Sequence, residues 1–430
     1  MPLNKTPLEL NGDFKYALDV LEKTDKSLFI TGRAGTGKST LLNLFRQTTR
    51  KKIVVCAPTG IAALNVKGQT IHSLFGFPPR FILAKDIKKS GRRKWFKKIN
   101  ILVIDEISMV RADLLDAIDR SLRINRENPM PFGGVQMVFI GDLFQLPPIV
   151  ASEEEKRIFA MAYESPYFFS ANVLRSFDIE KLELRKVYRQ ENRHFLRLLD
   201  AVRLNQIDWE DLEDLNVRHI PDFDLPGHYI TLSPRNATVD RINRRELANL
   251  ETEEFTFAAT VTGTFDPRLF PTEKELRLKK GAQVMFIKND PDGQFVNGTI
   301  GKIIEINREL IRIKTDEHGA ENEIDIGQTD WEIIKYKPGK STDEIESEVV
   351  GTFNQYPLKL AWAVTVHKSQ GKTFDKVIID MGSGAFETGQ TYVALSRCRT
   401  LEGIVLKKKL HPKDIMVDER VVEYYEQQFN

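Results

Sequence analysis

The chain has 430 residues, of which 41% are apolar and 29% charged, and its net charge is +2. This length predicts roughly two to four domains, and the composition is that of an ordinary globular protein. Cys56 and Cys398 are its two cysteines, and no CxxC or Cys/His cluster is present to bind zinc or an iron–sulfur centre. The N-terminus MPLNKTPLEL lacks an apolar signal core and no stretch is long enough to span a bilayer. We therefore expect neither secretion nor membrane insertion.

Short apolar runs alternate with helical patterns from the N-terminus to about residue 175. This order is typical of a parallel sheet wrapped by helices, so we expect a nucleotide-binding α/β domain. Its candidate strands are residues 27–31, 53–57, 101–104 and 136–140.

The first candidate strand leads into GRAGTGKST at residues 32–40, which fits the phosphate-loop pattern G-x-x-x-x-G-K-[ST]. Glycines let backbone amides curl around phosphate oxygens without a Cβ in the way. We expect Lys38 to reach the β and γ phosphates and the Ser39 hydroxyl to bind Mg²⁺ at the start of a helix over residues 38–47. A glycine-rich turn without function is the alternative, but strand, loop and helix agree on the first interpretation. The predicted nucleotide-binding residues are Gly32, Ala34, Gly35, Thr36, Gly37, Lys38, Ser39, Thr40 and, further along the chain, Gly371.

The segment KDIKKSGRRKWFKK at residues 85–98 carries eight basic residues against one acidic residue. It is longer than a simple connection needs, so we expect a small inserted subdomain. Its charge suits a polyanion, and a solvated loop face is the alternative. Nearby aromatic residues either stack on bases and form a wedge at a duplex junction or pack in the core of the subdomain. The residues concerned are Phe75, Phe77, Pro78, Pro79, Trp95 and Phe96.

Asp105 and Glu106 close the apolar run at residues 101–104, where a buried parallel strand would deliver carboxylates to the phosphate edge. We expect Asp105 to hold Mg²⁺ through water and Glu106 to act as the general base toward the attacking water. An acidic pair after a strand is usually only a solvated strand end, but the phosphate loop upstream favours the catalytic interpretation. The strand at residues 136–140 leads into GDLFQLPP, where Gln145 is well placed to sense the γ phosphate.

A second α/β region is predicted to open near Lys181 in KLELRKVYRQ, to continue at residues 229–233 and to resume at residues 358–366. The interruption, from about residue 253 to 355, contains short β-prone runs that predict a small inserted β-barrel. These runs are residues 283–288, 301–306 and 310–314, and the acidic segment at residues 343–348 is predicted to be a solvated loop.

Polar motifs of the second region suggest how the nucleotide energy is used. VTVHKSQGK at residues 364–372 is a donor-rich turn after a strand, and QTYVALSRCR at residues 390–399 offers Arg397 as a guanidinium for the nucleotide. Arg189, in the sequence Tyr-Arg-Gln, is a second candidate.

At this point the chain resembles the petite-integration-frequency (PIF) family of DNA helicases, in the RecD-like branch of superfamily one. The resemblance rests on APTGIAALNVKGQTIHSLF from Ala57, EISMVRADLLDAID from Glu106, PFGGVQMVFIGDLFQLPP from Pro131 and the two motifs just quoted. It covers about residues 10–400 and implies an α/β protein with two RecA-like parallel-sheet domains and ATP in the cleft between them. The implied parts are a first domain at 1–175 with a wedge at about 76–98, a second domain at 176–252 and 357–430, and a β-barrel at 253–356.

The resemblance also implies roles for individual residues. Lys38, Glu106, Gln145, Arg189 and Arg397 match catalytic positions of the family, and Ser39 and Asp105 match its Mg²⁺ ligands. An arginine that neutralises the transferred phosphoryl group is worth roughly 10³ to 10⁵ in rate and couples hydrolysis to motion. The positions that match the DNA channel are Thr59, Gly60, His72, Ser73, Asn236, Thr365, His367 and Ser369. Hydroxyl and imidazole donors suit sequence-blind phosphate contacts, although for His72 and His367 core packing is the alternative.

By resemblance, the cofactors are ATP and Mg²⁺ and the partners are single-stranded DNA, tailed duplex DNA and G-quadruplex DNA. The family moves 5′ to 3′. We expect a monomer in solution without a membrane partner, located in the cytoplasm and associated with the nucleoid if the source is bacterial. The sequence departs from the family pattern at the position that recognises the adenine base. Many relatives place an adenine-reading glutamine before the phosphate loop, whereas residues 10–14 read LNGDF.

Two functions from different classes remain open at the level of sequence. The first is a motor enzyme that separates strands with ATP. The second is a nucleoprotein remodeller or structure-binding factor whose weak, DNA-stimulated ATPase regulates occupancy. Glu106, Gln145 and Arg397 together favour the motor, because a binding module would not need all three.

Overall fold

The computed structural model describes residues 10–78, 80–150, 153–221, 223, 229–290, 293–317, 320–338 and 345–429. Contacts group the chain into two units. The N-terminal unit takes in the described parts of residues 9–188, 332–351 and 418–430, and the second unit those of residues 189–331 and 352–417.

A six-stranded parallel sheet forms the centre of the N-terminal unit, in the order β3-β2-β4-β5-β1-β6. Three of the four predicted strands have their predicted ends, and the first is one residue longer. The four are buried along almost their whole length, as expected for a parallel sheet covered on both faces. The strands are β1 Ser27–Gly32, β2 Ile53–Ala57, β3 Gln69–Thr70, β4 Ile101–Ile104, β5 Gln136–Ile140 and β6 Ile179–Leu184.

Amphipathic helices supply the apolar residues that pack against this sheet. Helix α2 buries Leu41, Leu42 and Phe45, spaced for one helix face, in the same core as Leu28 and Ile30 of β1. The helices are α1 Gly12–Lys23, α2 Lys38–Thr48, α3 Gly60–Asn65, α4 Ile71–Phe75, α5 Arg93–Phe96, α6 Ala112–Arg126 and α7 Glu153–Ala162.

The strand around Lys181 corrects one prediction. The sequence places it at the opening of the second core, but β6 pairs with β1 over its whole length, from Ser27 opposite Ile179 to Gly32 opposite Leu184. Its alternating polar residues, with Leu184 alone buried, are typical of the edge of a sheet.

Three buried aspartates on α6 hold the segments that surround it. Asp116 accepts hydrogen bonds from the Tyr163 hydroxyl, from the backbone N–H and side-chain amide of Asn172, and from the Val173 N–H, at 2.9–3.1 Å. Asp119 accepts from the Phe132 N–H at 2.6 Å. These carboxylates, together with Asp113, give α6 a structural role that its sequence motif does not reveal.

The second unit has its own parallel sheet, in the order β18-β7-β19-β20. The predicted resumption of the second core at residues 358–366 is corrected, because residues 361–362 divide this run into two strands. Its first half, β17, pairs with β11 of the inserted region, and its second half, β18, pairs with β7 of the core. The strands are β7 Ile230–Ser233, β18 Ala363–Thr365, β19 Val377–Ile379 and β20 Ile404–Leu406, and β17 is Leu358–Leu360. The helices are α8 Arg193–Arg203, α9 Trp209–Asn216, α10 Asn236–Asn249, α11 Val366–Ser369 and α12 Gln390–Leu395.

Short strands make up the inserted region, as its sequence predicts, and the pairs β8–β10, β11–β12, β12–β13 and β13–β14 are antiparallel. The sheets have the orders β14-β13-β12-β11-β17, β10-β8 and β15-β16-β9, and closure into a barrel stays a prediction. Of the predicted acidic loop at residues 343–348, the first two residues lie outside the described chain and the remainder begins β16. The strands are β8 Glu254–Ala258, β9 Thr260–Gly263, β10 Glu275–Lys279, β11 Gln283–Phe286, β12 Ile300–Ile306, β13 Ile311–Glu317, β14 Ala320–Ile326, β15 Thr329–Pro338 and β16 Ile345–Gln355.

The last helix, α13 Glu419–Phe429, packs with the N-terminal unit. The Phe429 ring lies 6.1 Å from that of Phe29, and the Tyr425 hydroxyl donates to Glu183 at 2.7 Å. The domain boundaries given above stay a prediction. Within the described residues, no helix combines the length and the apolar character needed to cross a bilayer.

Candidate ATP and nucleic-acid sites

The phosphate loop connects β1 to α2 in a conformation that its glycines make accessible. Gly35 and Gly37 have φ of +85° and +86°, in the left-handed region that glycine enters without penalty. A Cβ on Gly32 would lie 2.7 Å from the Leu184 carbonyl oxygen and 2.8 Å from Thr36 Oγ1, so only glycine fits there.

Lys38 lies at the mouth of this loop. Its ammonium donates to the carbonyl oxygens of Gly32 at 2.6 Å and Arg33 at 2.9 Å. The Thr36 hydroxyl also donates to Arg33 O, at 2.9 Å, which keeps the loop curled. Ala34 is buried, whereas Ser39 and Thr40 are exposed in the first turn of α2, where helix N–H groups favour an anion.

The two carboxylates follow β4 as predicted. The Asp105 N–H donates to Cys56 O at 2.9 Å, which extends the pairing with β2 and fixes the side chain at the sheet edge. Burial raises the pKa of Asp105 to about 6, and the Glu106 N–H and Lys38 act in the opposite direction. Glu106 itself has φ +51° and ψ +46°, a left-handed conformation that is unfavourable for a residue with a Cβ.

Mg²⁺ suits this donor set. A magnesium ion on nucleotide phosphates takes few protein ligands, and the exposed Ser39 hydroxyl and the Asp105 carboxylate are hard oxygen donors of the kind it prefers. A dication would also offset the burial cost that raises the pKa of Asp105. Neither residue belongs to a self-sufficient metal cage, since no cluster of three His, Cys, Asp or Glu with that capacity occurs among the described residues.

Gln145 follows β5 and is held by Asp142, a residue that the sequence analysis did not single out. The Gln145 side-chain amide donates to Asp142 Oδ2 at 3.1 Å, and its backbone N–H donates to the Asp142 carbonyl at 3.1 Å. Asp142 is fully buried and also accepts from the Phe144 N–H at 3.3 Å. A fixed orientation of the carboxamide is what positioning a water molecule requires.

Tyr188 borders the phosphate loop on the side of α1. Its N–H donates to Gly35 O at 2.9 Å, and its half-exposed ring lies 6.4 Å from that of Phe14. Asn11 lies in the segment before the phosphate loop that lacks the glutamine of many relatives. Its side chain accepts the Phe14 N–H at 2.8 Å as the cap of α1 and donates to the Tyr188 hydroxyl at 3.1 Å. Both ends of this amide are therefore engaged within the protein.

The two candidate arginines of the second unit lie together. Arg189 donates to Ser396 O at 3.0 Å, and Arg397, which is 1% exposed, donates through Nε to Val393 O at 2.9 Å and through Nη1 to Lys372 O at 3.3 Å. Burial, and next the charge of Arg397, hold the pKa of Arg189 well below its usual range. A bound anion would offset the cost of burying these two positively charged guanidinium groups close together.

The predicted DNA-side residues of the N-terminal unit lie at the starts of two short helices. The Thr59 hydroxyl accepts the Ala62 N–H at 3.2 Å as the cap of α3, and Gly60 is the first residue of that helix. Ser73 is exposed, and its hydroxyl accepts from Gln69 Nε2 at 2.8 Å. His72 is half-buried, and burial followed by the charge of Arg111 lowers its pKa, so the ring is a neutral hydrogen-bonding group at neutral pH.

In the second unit the corresponding residues divide into two groups. Asn236 is exposed at the start of α10, and the His367 ring lies 3.2 Å from the Glu387 carboxylate. Gly371 has φ +78° and open space around its Cα. In contrast, Thr365 is buried and accepts the Lys368 N–H as the cap of α11, and fully buried Ser369 donates to Val366 O at 2.7 Å. The last two hydroxyls are engaged in local structure.

The aromatic residues of the inserted segment pack against one another. The Phe75 ring stacks on Phe77 at 5.3 Å and on Phe96 at 5.7 Å, and Trp95 and Phe96 are almost fully buried. This favours the core alternative for these rings over base stacking. Pro78 is half-buried, and Pro79 lies outside the described residues.

The basic segment keeps part of its charge for solvent. Arg93 and Lys97 both pair with Glu127, and Arg92 donates to Leu74 O at 2.8 Å. Lys85, Lys88, Lys89 and Lys94 are exposed. These four exposed lysines form the positive surface that suits a polyanion.

A phosphate loop after β1, acidic residues after β4 and a polar sensor after β5, the strand between them, define a nucleoside triphosphatase, and a second α/β unit carrying paired arginines is the arrangement of a helicase motor. A profile of the PIF1-like helicase family matches residues 12–212, and a profile of the DNA helicase Pif1 2B domain matches residues 268–306. The chain belongs to the PIF1-like helicase family. The predicted α/β class with two RecA-like domains is confirmed.

Relatives and solved structures agree with this assignment. The ATP-dependent DNA helicase Pif1 of Bdellovibrio bacteriovorus is 31% identical, over 99% of this chain and 93% of its own length. The ATP-dependent DNA helicase PIF1 of Emericella nidulans is 32% identical over 96% of this chain, which spans 62% of that relative. Bacteroides Pif1 in complex with ADP-AlF4 is 36% identical, with a TM-score of 0.90 over 98% of each chain, and Bacteroides Pif1 bound to single-stranded DNA has a TM-score of 0.69 at 36% identity, over 97% of this chain and 96% of its own. Family membership thus makes the chain a helicase of the ATP-dependent class.

Proposed function

We propose that this protein is an ATP-driven motor that moves 5′ to 3′ along single-stranded DNA and separates the strands of duplex DNA. The observation that most supports the proposal is the arrangement at one edge of the N-terminal sheet. The Lys38 ammonium and the Asp105 carboxylate are close enough there to influence each other's charge, and Glu106 follows directly.

Each residue has a distinct part in hydrolysis. Lys38 and the N–H groups of the loop bind the phosphate oxygens, and the Ser39 hydroxyl and Asp105 hold Mg²⁺, which offsets negative charge on the phosphates. Glu106 accepts a proton from the attacking water, and Gln145, fixed by Asp142, orients that water. Arg189 and Arg397 neutralise charge on the transferred phosphoryl group. Since both arginines belong to a different unit from the phosphate loop, hydrolysis can be coupled to motion.

Single-stranded DNA is the proposed track, and tailed duplexes and G-quadruplex DNA are the proposed substrates. Solved relatives bound to single-stranded DNA and to forked DNA support the single-stranded track and the tailed duplex. Thr59, Gly60, His72 and Ser73 are proposed contacts of the N-terminal unit, with Asn236 and His367 in the second. Thr365 and Ser369 are proposed to contribute through the backbone of the same turn, because their hydroxyls are engaged within the protein. We further propose that the protein is a monomer in solution and, if its source is bacterial, that it lies in the cytoplasm in association with the nucleoid.

A remodeller with a weak DNA-stimulated ATPase is the second candidate. The observation that favours it is the burial of Thr365 and Ser369, which removes two hydroxyls from the proposed track. A weaker grip on the backbone would shorten translocation without preventing hydrolysis.

Unwinding of two matched duplexes separates these candidates. One duplex carries a 5′ single-stranded tail and the other a 3′ tail of the same sequence, and Glu106→Gln provides the control for contaminating activity. The motor predicts ATP-dependent opening of the 5′-tailed duplex alone. Opening of the 3′-tailed duplex contradicts the polarity, and DNA-stimulated hydrolysis without opening of either duplex supports the remodeller.

A further inference from the structure

Three lysines converge where the inserted region joins the second core. Lys359 on β17 is directly opposite Met285 of β11, and the Lys372 ammonium lies 3.7 Å from the Met285 sulfur. The Cβ of Lys372 is also within contact distance of the Gly298 turn, 3.4 Å from an ideal Cβ built there. Lys368, on the short helix between them in sequence, is exposed. Together, Lys359, Lys368 and Lys372 are called the lysine cluster below.

The positive charges of the lysine cluster repel one another, and burial disfavours the charged forms of Lys359 and Lys372. Burial and the charges of Lys359 and Lys368 lower the pKa of Lys372 to about 7. Burial and the charge of Lys368 lower the pKa of Lys359 to about 8, and Glu273 acts in the opposite direction. Glu273 is the carboxylate that favours the charged form of Lys359.

An anion would remove this cost, because it stabilises the charged form of every lysine around it. The requirement is for a compact, strongly accepting group, and a phosphodiester oxygen pair meets it. Lys368 is exposed and Lys359 and Lys372 are half-buried, so the cluster is accessible to a ligand in solvent. The charged group proposed for the triphosphate in this region is Arg397, which donates to the Lys372 carbonyl at 3.3 Å, whereas the Lys372 ammonium lies at Met285.

We propose that Lys359, Lys368 and Lys372 form a binding site for one backbone phosphate of single-stranded DNA, and that filling this site takes up protons from solvent. The inference rests on the proposed function, since it assumes that the chain binds a DNA strand. It adds a contact from residues that lie outside the predicted DNA-side set.

The direction of the pH effect follows from the lowered pKa values. Below about pH 7 both half-buried lysines are charged before DNA arrives, whereas above about pH 8 they must first be protonated. DNA affinity should therefore fall as the pH rises through this window. For Lys372 alone, the charged fraction of the free protein decreases roughly 25-fold between about pH 6.5 and about pH 8.5, so we expect a loss of affinity on the order of tenfold or more.

Two substitutions at position 372 make the test specific. Lys372→Arg keeps the positive charge at every pH in the window, because a guanidinium does not lose its proton there. Lys372→Met has similar length without charge. Lys409→Met, which removes an exposed lysine of the same unit, is the matched control.

Binding is measured as the fluorescence anisotropy of a Cy3-labelled dT oligonucleotide at constant ionic strength, between about pH 6.5 and about pH 8.5. We expect the wild type and Lys409→Met to lose affinity alike as the pH rises. Lys372→Arg should bind with a distinctly flatter pH dependence, and Lys372→Met should bind weakly at low pH, also with a flatter profile. In a salt titration at low pH, Lys372→Met should release about one counterion fewer than the wild type.

The outcomes separate this inference from the proposed function. If the wild type does not bind the oligonucleotide, the proposed function fails. If it binds and Lys372→Arg retains the full pH dependence of the wild type, the phosphate site fails and the motor is unaffected. Lys372→Arg alone is sufficient for this decision should Lys372→Met fold poorly.

Discussion

The left-handed backbone at Glu106 predicts that this residue, the proposed catalytic base, is maintained at a cost in stability. A residue with a Cβ in this region costs roughly 1–2 kcal/mol relative to the right-handed form, and glycine avoids the cost. Glycine also gives back about 0.4–1 kcal/mol through the greater freedom of the unfolded chain. We therefore expect Glu106→Gly to be more stable than Glu106→Ala by about 0.5–1 kcal/mol.

The two variants form a matched pair because both remove the carboxylate and its contacts. Urea unfolding followed by tryptophan fluorescence gives their relative stability, and steady-state ATP hydrolysis with single-stranded DNA gives their activity. Both should lose roughly 10² to 10⁴ in kcat, the usual contribution of a general base. The explanation from backbone strain is refuted if Glu106→Ala is at least as stable as Glu106→Gly. If either variant hydrolyses ATP at the wild-type rate, Glu106 is not the base.

Three further predictions concern the N-terminal unit. Lys38→Ala should abolish DNA-stimulated hydrolysis and leave binding of a dT oligonucleotide nearly intact, and equal loss of both would contradict the separation of the two sites. Because burial raises the pKa of Asp105 to about 6, hydrolysis at limiting Mg²⁺ should fall as the pH drops through 6, where the carboxylate becomes neutral. More Mg²⁺ should shift this fall to lower pH, and a profile insensitive to Mg²⁺ would argue against Asp105 as a ligand. Asp116→Ala should reduce the free energy of unfolding by about 3 kcal/mol, since it leaves several buried donors unpaired, and Asp116→Asn should cost less; similar stability of both in urea would show that the acceptor is dispensable.

The N-terminal sheet could be predicted from sequence because its strands are short, apolar and followed directly by motifs. Phosphate-loop glycines end β1, and the acidic pair ends β4, so pattern and chemistry mark the same boundaries. The sequence places the edge strand β6 in the wrong core, because alternating polar residues do not reveal which strand lies beside it. The run at residues 358–366 is predicted to belong wholly to the second core, because both of its halves are apolar, although they join different sheets.

The lysine cluster and the aspartates of α6 could not be predicted for a different reason. Met285, Lys359 and Lys372 come from separate segments, and only the pairing of β11 with β17 brings them together. Asp116 lies in a motif that suggests function, yet its carboxylate is used to hold neighbouring backbone. Spacing in sequence reveals contacts within one helix or strand, whereas these contacts depend on tertiary structure.

Helix α13 belongs to the N-terminal unit but is synthesised after the second unit. The Phe429 ring packs against Phe29, and the Tyr425 ring packs against Phe144. Both partners are synthesised well before the helix. The entire second unit is made before that helix emerges from the ribosome, and at roughly 5–20 residues per second the delay lasts tens of seconds. During that interval aromatic surface of the first sheet lacks its final partner, so the nascent chain is a natural client for chaperones that shield apolar surface.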